Sequence, residues 1–541
     1  MVPGPEYPRP HLRREAWTSL DGEWEFGAGR DPVFDRRINV PFCPESALSG
    51  IGERVGDVVW YRRTFDAPRG ERLHLHFGAV DYRATVWVND VEVARHEGGH
   101  TPFTADVTAA VRERDNVLVV RAEDSLTDRT IPRGKQYWEE QPEGIFYTAT
   151  TGIWQPVWLE PVPGRHIRGL RVQPDLEAGS VRITIDADGE AEAVVRLDGA
   201  VVGRLDGSSG EVRLEHVEPW SPESPRLYDV EASLGADRVE TRFGLRTVET
   251  RDGRWLLNGE AYVQRLVLDQ GYFAGGLMTP PDSVALRRDV ELARAFGFNG
   301  ARKHQKVEDP RWLDWCDRLG FLVWCEMPSF HRHSPEAEQR LMREWADVVR
   351  LARDHPCVVT WTPANESFGL GDVDPAVRSD FLVRLYRLTR ELDGTRPVVS
   401  NDGWEHSLTD LCTIHDYSPP EQLRSHCGSL EAALGARAEG HEPYDPGIAY
   451  RGEPVLVSEF GGLRVAGTGG WGWLDVPDEA AFVDSYGQLV DALMRPGPVE
   501  GFCYTQLTDV QQEQNGLLTA ERVPKVDPSL LFPLTGKTKR R

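Results

Sequence analysis

The chain has 541 residues, 40% hydrophobic and 27% charged, the balance of a soluble globular protein long enough for several buried cores. Its formal net charge of −24 repels phosphate backbones and anionic lipid, which excludes nucleic acid and membrane surfaces as expected partners. Seven scattered cysteines lack zinc or redox spacing, and Met1-Val2-Pro3-Gly4-Pro5-Glu6 lacks a signal-peptide pattern, so a reducing, cytoplasmic setting without metal or cofactor is expected.

Residues 1–162 read as all-β. Leu73, Leu75 and Phe77 alternate with polar positions. Thr85-Val86-Trp87-Val88 and Val91-Glu92-Val93 flank an Asn89-Asp90 turn, and Val117-Leu118-Val119-Val120 adds a fuller apolar run. Residues 163–250 continue in β with shorter strands: Val181, Ile183 and Ile185 alternate, and Asp188-Gly189, Asp198-Gly199 and Asp206-Gly207 mark tight turns. The Pro161-Val162-Pro163-Gly164 stretch separates the two regions.

From residue 251 to 541 strands alternate with helices. Tyr262 to Leu268 reads as a first strand. Leu286, Val290 and Ala293 form a helix face after an Asp282 cap. Trp312, Trp315 and Leu319 form another after Asp309-Pro310, and Leu341, Trp345, Val348 and Ala352 a third. Further strand candidates lie at 298–302, 321–325, 357–362, 397–400, 411–415, 454–458 and 500–505, and with the first they complete an eight-stranded barrel. An open doubly wound sheet is the alternative, but no glycine-rich phosphate loop follows the first strand. The basic tail from Lys537 to Arg541 reads as a solvated terminus.

The predicted fold class is therefore multidomain β plus α/β. It combines an N-terminal jelly-roll-like β-sandwich of the sugar-binding kind (1–162), an immunoglobulin-like β-sandwich (163–250) and a C-terminal (β/α)8 TIM barrel (251–541).

Barrel enzymes work at the C-terminal ends of their strands. Here those ends carry Asp269-Gln270, Arg302-Lys303-His304, Glu326, Asn365-Glu366, Asn401-Asp402 with Trp404, His415-Asp416-Tyr417, Glu459, and Gln506 with Asp509. Strand bodies are apolar and strand ends polar, the pattern of a site rather than a core. Glu366 and Glu459 follow strands four and seven, which face each other across an eight-membered ring. Two carboxylates so placed suit glycoside hydrolysis with retention, which needs them about 5–5.5 Å apart. A strand-end glutamate taken alone is by default an ion-paired residue. Likewise Arg302 and Glu326 can form a buried pair beneath the site, and His304 and His415 can be satisfied barrel histidines.

The Asn365-Glu366 pair and the Ser458-Glu459-Phe460-Gly461 run resemble glycoside hydrolase family 2, the family of β-galactosidases, β-glucuronidases and β-mannosidases. Arg14-Glu15-Ala16-Trp17-Thr18-Ser19-Leu20-Asp21-Gly22-Glu23-Trp24-Glu25-Phe26 is similar to the family's opening signature. Phe243-Gly244-Leu245-Arg246 and Leu257-Asn258-Gly259 resemble its bridge into the barrel. The resemblance implies Glu366 as acid/base, Glu459 as nucleophile, Asn365 as the partner of the hydroxyl beside the anomeric carbon, and Tyr417 as the residue holding Glu459. Asp269, Arg302, His304, Trp404, His415 and Trp471 complete the expected substrate-binding set, with Trp404, Trp471 or Trp473 standing in for a strand-eight tryptophan absent from Tyr504-Thr505-Gln506-Leu507. The Asn-x-Lys element of glucuronidases is also absent near Gln514-Asn515-Gly516.

These features predict a retaining exo-β-glycosidase acting on a small or oligosaccharide glycoside, with β-galactosides the leading substrate class. A β-glucuronidase or other β-glycosidase of the same family is the alternative, and a non-catalytic carbohydrate binder the alternative of another class. The two β regions offer surfaces for a homo-oligomer.

Overall fold

A computed structural model describes residues 6–436, 440–467 and 469–537; the first five residues, Thr468 and residues 538–541 of the basic tail lie outside the described residues. The first region is a sandwich of two antiparallel sheets. One orders Thr18–Ser19, Val157–Val162, Arg72–Phe77 and Phe103–Asp106. The other orders Arg36–Val40, Gly22–Ala28, Val58–Phe65, Asn116–Glu123, Arg83–Val88 and Val91–Glu97. Burial along Asn116–Glu123 alternates strictly, because successive side chains point to opposite faces and only one face meets the core. Trp24, Tyr61, Phe77, Val86 and Val120 fill the space between the sheets, each contributing about 1.5–3 kcal/mol by leaving water. Asn89 and Asp90 both adopt positive φ, 50° and 66°, as the tight primed hairpin turn demands.

The second region packs a three-stranded sheet (Ile167–Asp175, Ser180–Ala187, Ser209–Arg213) on a four-stranded one (Ala200–Asp206, Glu192–Leu197, Tyr228–Leu234, Asp237–Phe243). Asp198-Gly199 turns with φ of 49° and 80°. Val181, Ile183, Val195, Val230 and Phe243 form its core. Buried Arg14 ties the two sandwiches together, bonding Glu160 of the first at 3.1 Å and Asp237 of the second at 2.9 Å.

The third region is the barrel. Its parallel strands run in ring order Val358–Thr362, Leu322–Glu326, Gly300–Lys303, Gln264–Asp269, Val499–Thr505, Val455–Gly461, Cys412–His415. Helices Ser283–Ala295, Pro310–Leu319, Pro335–Ala352, Pro375–Leu392 and Glu479–Leu493 lie outside, their caps set by Asp282, Asp309, Ser334, Asp374 and Asp478. Trp312 and Trp345 bury their rings against the strands and Trp315 packs at the edge.

The first strand begins at Gln264, two residues later than expected. The expected fifth strand, 397–400, is not a ladder strand. It pairs with strand four through Trp361 N–H to Pro397 O (3.1 Å) and Val399 N–H to Trp361 O (2.9 Å). On its other side the Asp410 carboxylate takes the Val398 amide at 2.9 Å, where a sixth strand would otherwise accept. Pro397 has no amide to donate, and the return from Gly403 to Leu411 is shorter than a helical crossover requires.

The jelly-roll-like sandwich reaches over the barrel mouth. Arg133 and Gly134 amides donate to Ser329 O at 3.0 Å, the His331 and Arg332 amides donate to Arg129 O at 2.8 Å, and Gln512 Nε2 donates to Gly144 O and Phe146 O. A loop of the first region therefore roofs the C-terminal strand ends.

Candidate active site

Asn365 and Glu366 sit just past the fourth strand, where the chain turns through two non-glycine residues of positive φ, Glu366 at 51° and Ser367 at 48°. Each such residue costs roughly 1–3 kcal/mol and persists only where the surroundings fix it. Here the irregular fifth segment fixes it: Glu366 N–H donates to Asp402 O at 2.9 Å and Ser367 N–H to Asn401 Oδ1 at 2.9 Å. Glu459 sits within the seventh strand at a register shift, where Ser458 is the extra residue between the Ile414–Val457 and His415–Glu459 pairs. Such a bulge re-aims a side chain, and Glu459 faces the sixth strand's His415.

Arg302 is the hub beneath both glutamates and is completely buried. Its Nε donates to Glu326 Oε2 (2.7 Å) and its Nη1 to Glu459 Oε1 (2.8 Å), with Asp402 Oδ2 also 2.8 Å from Nη1. Nη2 donates to Asn365 Oδ1 (2.6 Å) and lies 3.0 Å from His304 Nδ1. The planar five-donor fork suits several acceptors at once, which a lysine ammonium cannot match. His304 Nδ1 is also 3.0 Å from Glu326 and 4.0 Å from Glu459, and burial lowers its pKa.

His415 links the two catalytic candidates. Its Nδ1 lies 2.6 Å from Glu366 Oε1 and its Nε2 2.8 Å from Asp402 Oδ2 and 3.5 Å from Glu459 Oε1. Burial opposes its charge, but Glu459 and Asp402 outweigh burial and raise its pKa to about 10. Burial likewise opposes Glu459's charge, and His415 and Arg302 outweigh it, lowering that carboxyl to about 2. Arg302 and His415 also hold Asp402 well below the usual carboxylate range against its burial. Tyr417 donates to Glu459 Oε2 at 2.5 Å, and its oxygen lies 3.0 Å from Thr505 Oγ1, whose hydroxyl can donate to it. Oxygens of Glu366 and Glu459 come within 4.8 Å of each other. Glu366 keeps 14% of its side chain open, and the buried Asn365 Nδ2 has no protein partner, which leaves a donor for a substrate hydroxyl.

His415→Gln is expected to lower the melting temperature more at pH 6 than at pH 10. A pKa raised on folding adds stability that is complete below the ordinary value near 6.5 and lost as pH rises through about 10. A deficit that does not change with pH in thermal denaturation would remove the charged imidazolium from the network.

Three expected ligands lie elsewhere. Asp269 pairs in register with Lys303, next to inward-facing Arg302, so both point outward; its carboxylate bonds Lys303 Nζ at 2.6 Å, over the Trp312 ring. Trp404 is buried, one face stacked on His441 at 4.1 Å and its edge on His415, which leaves no open sugar platform. Trp471 turns its indole N–H to Gly144 O (3.0 Å) in the roof loop. Its neighbour Trp473 is the ring at the site, stacked on Tyr417 at 4.0 Å.

Residues of the roof and of the loop after strand eight add to the site. Tyr147 donates to Glu513 Oε2 at 2.6 Å, Asn515 Nδ2 to Glu513 Oε1 at 3.2 Å, Gln506 Nε2 to Asn515 Oδ1 at 2.7 Å, and Gln270 Nε2 to Gln506 Oε1 at 3.0 Å. Gln270 and Gln506 are the polar strand ends read from the sequence, whereas the roof's one sequence signal is the aromatic, non-alternating stretch Tyr137, Trp138, Phe146, Tyr147.

Two groups among the described residues bring metal-type donors together. In Glu366, His415 and Glu459, the charged imidazole has protons on both nitrogens and no lone pair to give. In Asp317, His355 and Cys357, Asp317 already binds the histidine and the Cys357 amide, and burial pushes the Cys357 thiol up, away from the thiolate a metal needs.

Three family models match the chain in order. The galactose-binding domain-like model of glycosyl hydrolase 2 covers residues 46–150, the glycosyl hydrolases family 2 model 165–246, and that family's TIM barrel domain 278–472. The chain belongs to glycosyl hydrolase family 2. It is a glycoside hydrolase of the β-glycosidase kind. A β-glucuronidase of Paenibacillus borealis is 28% identical over 531 residues, covering 85% of this chain and 85% of its own. A β-galactosidase of Thermoanaerobacter pseudethanolicus is 29% identical over 398 residues, covering 66% of this chain and 51% of its own. The solved structure of a Faecalibacterium prausnitzii β-glucuronidase superposes with TM-score 0.82 at 25% identity, covering 99% of this chain and all of its own. Among the described residues no helix is long and apolar enough to cross a membrane, and all seven cysteines are free and buried.

Proposed function

We propose that this family 2 enzyme is a retaining exo-β-glycosidase whose substrates are β-uronides of the glucuronide class. The observation that carries the reaction is the carboxylate pair. Glu459 is kept ionised beside a partly open Glu366, with oxygens within 4.8 Å, close to the spacing a double displacement uses. Glu459 attacks the anomeric carbon as the C1–O bond breaks, and Glu366 delivers its proton to the departing oxygen. Glu366 then takes a proton from water, whose oxygen displaces Glu459 from C1. His415 occupies Glu366 Oε1, so Oε2 is the oxygen left to carry that proton.

The uronide reading replaces the galactoside expectation because the similarity to the β-glucuronidase runs along both chains, whereas that to the β-galactosidase stops at half of the relative. Turnover of 4-nitrophenyl β-glucuronide above the galactoside, mannoside, glucoside and α-arabinoside is the expected outcome of a substrate panel. Turnover confined to the galactoside would return the enzyme to that class, and an inverted first-formed anomer in NMR would end the double displacement. Glu366→Ala should cost on the order of 10²–10⁴ in kcat/KM on poor leaving groups and far less on 2,4-dinitrophenolate. An equal loss on both would argue against Glu366 as the acid.

A further inference from the structure

Lys135 lies in the roof loop and is 94% withdrawn from solvent, at 6% exposure. Burying an ammonium costs several kcal/mol unless a counter-charge compensates. The other two buried lysines among the described residues follow that rule: Lys303 bonds Asp269 and Glu308, and Lys306 bonds Glu308. Lys135 does not. Among the described residues, no carboxylate comes within 4 Å of its Nζ and no acceptor takes its hydrogen bond. The ammonium instead stands over the faces of Phe368 (5.4 Å) and Phe146 (5.8 Å), the first of which lies two residues past Glu366.

Its position is fixed from both sides. The Arg133 and Gly134 amides hold Ser329 O, the Tyr147 amide holds Lys135 O at 2.8 Å, and His331 Nε2 meets Gly134 O at 2.6 Å. Gly134 has φ 59°, and a Cβ there would stand 2.3 Å from Gln305 O, so only a glycine lets the loop sit this close to the chain that follows strand two. Lys135 is also near enough to the Glu513 and His304 side chains to act on their charges, and Glu459 acts on Glu513. The ammonium therefore stands beside the strand ends, over the Phe368 ring and within electrostatic reach of His304 and Glu513.

We propose that Lys135 is the specificity-determining cation that takes the carboxylate of a uronic acid sugar in this pocket, supplying from the β-sandwich a charge that the barrel's own Gln514-Asn515-Gly516 loop lacks. The inference rests on the uronide reading above. An aromatic-walled ammonium whose neighbouring carboxylate, Glu513, lies beyond ion-pair distance gains a direct partner only when an anionic sugar enters, and a charge-assisted contact of that kind discriminates strongly against the neutral hydroxymethyl analogue. Glu513, held by Tyr147 and Asn515, is the carboxylate nearest in effect to that ammonium.

The test compares kcat/KM for 4-nitrophenyl β-glucuronide and β-glucoside in wild type, Lys135→Met and Lys135→Gln. Both variants should lose about 10- to 100-fold on the uronide and little on the glucoside. The ratio of the two substrates in one preparation is independent of the folded fraction, so a partly folded variant still gives an answer. Lys135→Met should not lower the melting temperature, because it removes an unpaired buried charge and keeps the apolar stem. Uronide turnover that survives both substitutions, or equal losses on both sugars, overturns the role of Lys135 alone. A wild-type enzyme that cleaves neutral glycosides and no uronide overturns the uronide reading with it.

Discussion

Glu459→Ala is expected to reduce kcat/KM on every aryl glycoside by on the order of 10⁴-fold or more, the scale of losing a nucleophile on which the remaining machinery depends. The chain should still fold, since Arg302 keeps Glu326 and Asp402 as partners, and Tyr417 keeps Thr505. The carboxyl is held at about 2 because His415 and Arg302 outweigh its burial. A folded-state pKa lowered from about 4.5 adds stability that is present above 4.5 and lost as pH falls toward 2. Glu459 therefore stays charged through mildly acidic conditions, and any acid limb of activity above pH 4 belongs to another group. Stopped turnover with intact near-UV circular dichroism is the expected pair of readouts, and a variant that retains wild-type turnover would end the assignment of Glu459.

Arg302→Met should damage both folding and chemistry. The substitution fills the space but leaves Glu326, Asp402 and Glu459 buried around an uncharged side chain. Breaking a buried ion pair from one side costs about 3–5 kcal/mol, and Arg302 serves three carboxylates. Glu459 also loses one of the two charges that keep it ionised, and Asn365 loses the donor that orients its amide. Arg302→Lys should recover little, because one ammonium cannot reach acceptors spread around a planar fork. The expected result is a large fall in melting temperature together with activity near the Glu459→Ala level. A methionine variant that is as stable and as active as wild type would show that the hub is dispensable.

The parts of this enzyme written in local pattern were legible in its sequence. Alternation in Asn116–Glu123, the Asp caps before the barrel helices and the change of rhythm near residue 251 each follow from what a few neighbouring residues can do. The polar strand ends were legible for the same reason: apolar bodies followed by Arg302, Asn365-Glu366, His415 and Glu459 have no place in a core. Asp269 was misplaced because facing depends on parity. Only the cross-strand register with Lys303 shows that it points outward, and no single strand carries its register in its own residues. The fifth strand was overread because Val398 and Val399 look like strand residues, while Asp410, which replaces the neighbouring ladder, lies beyond a loop. Lys135, Tyr147 and Glu513 escaped notice because their meeting depends on one domain docking on another.

That docking has a temporal meaning. Lys135 and Tyr147 leave the ribosome hundreds of residues before Glu459 and Glu513, and the Tyr147–Glu513 bond does not exist until the early loop settles on the late strand ends. Neither the sandwich nor the barrel by itself holds both partners of that bond. Recovered activity after refolding therefore counts molecules in which the two distant stretches of chain have found each other, whereas recovered helicity counts barrels, finished or not.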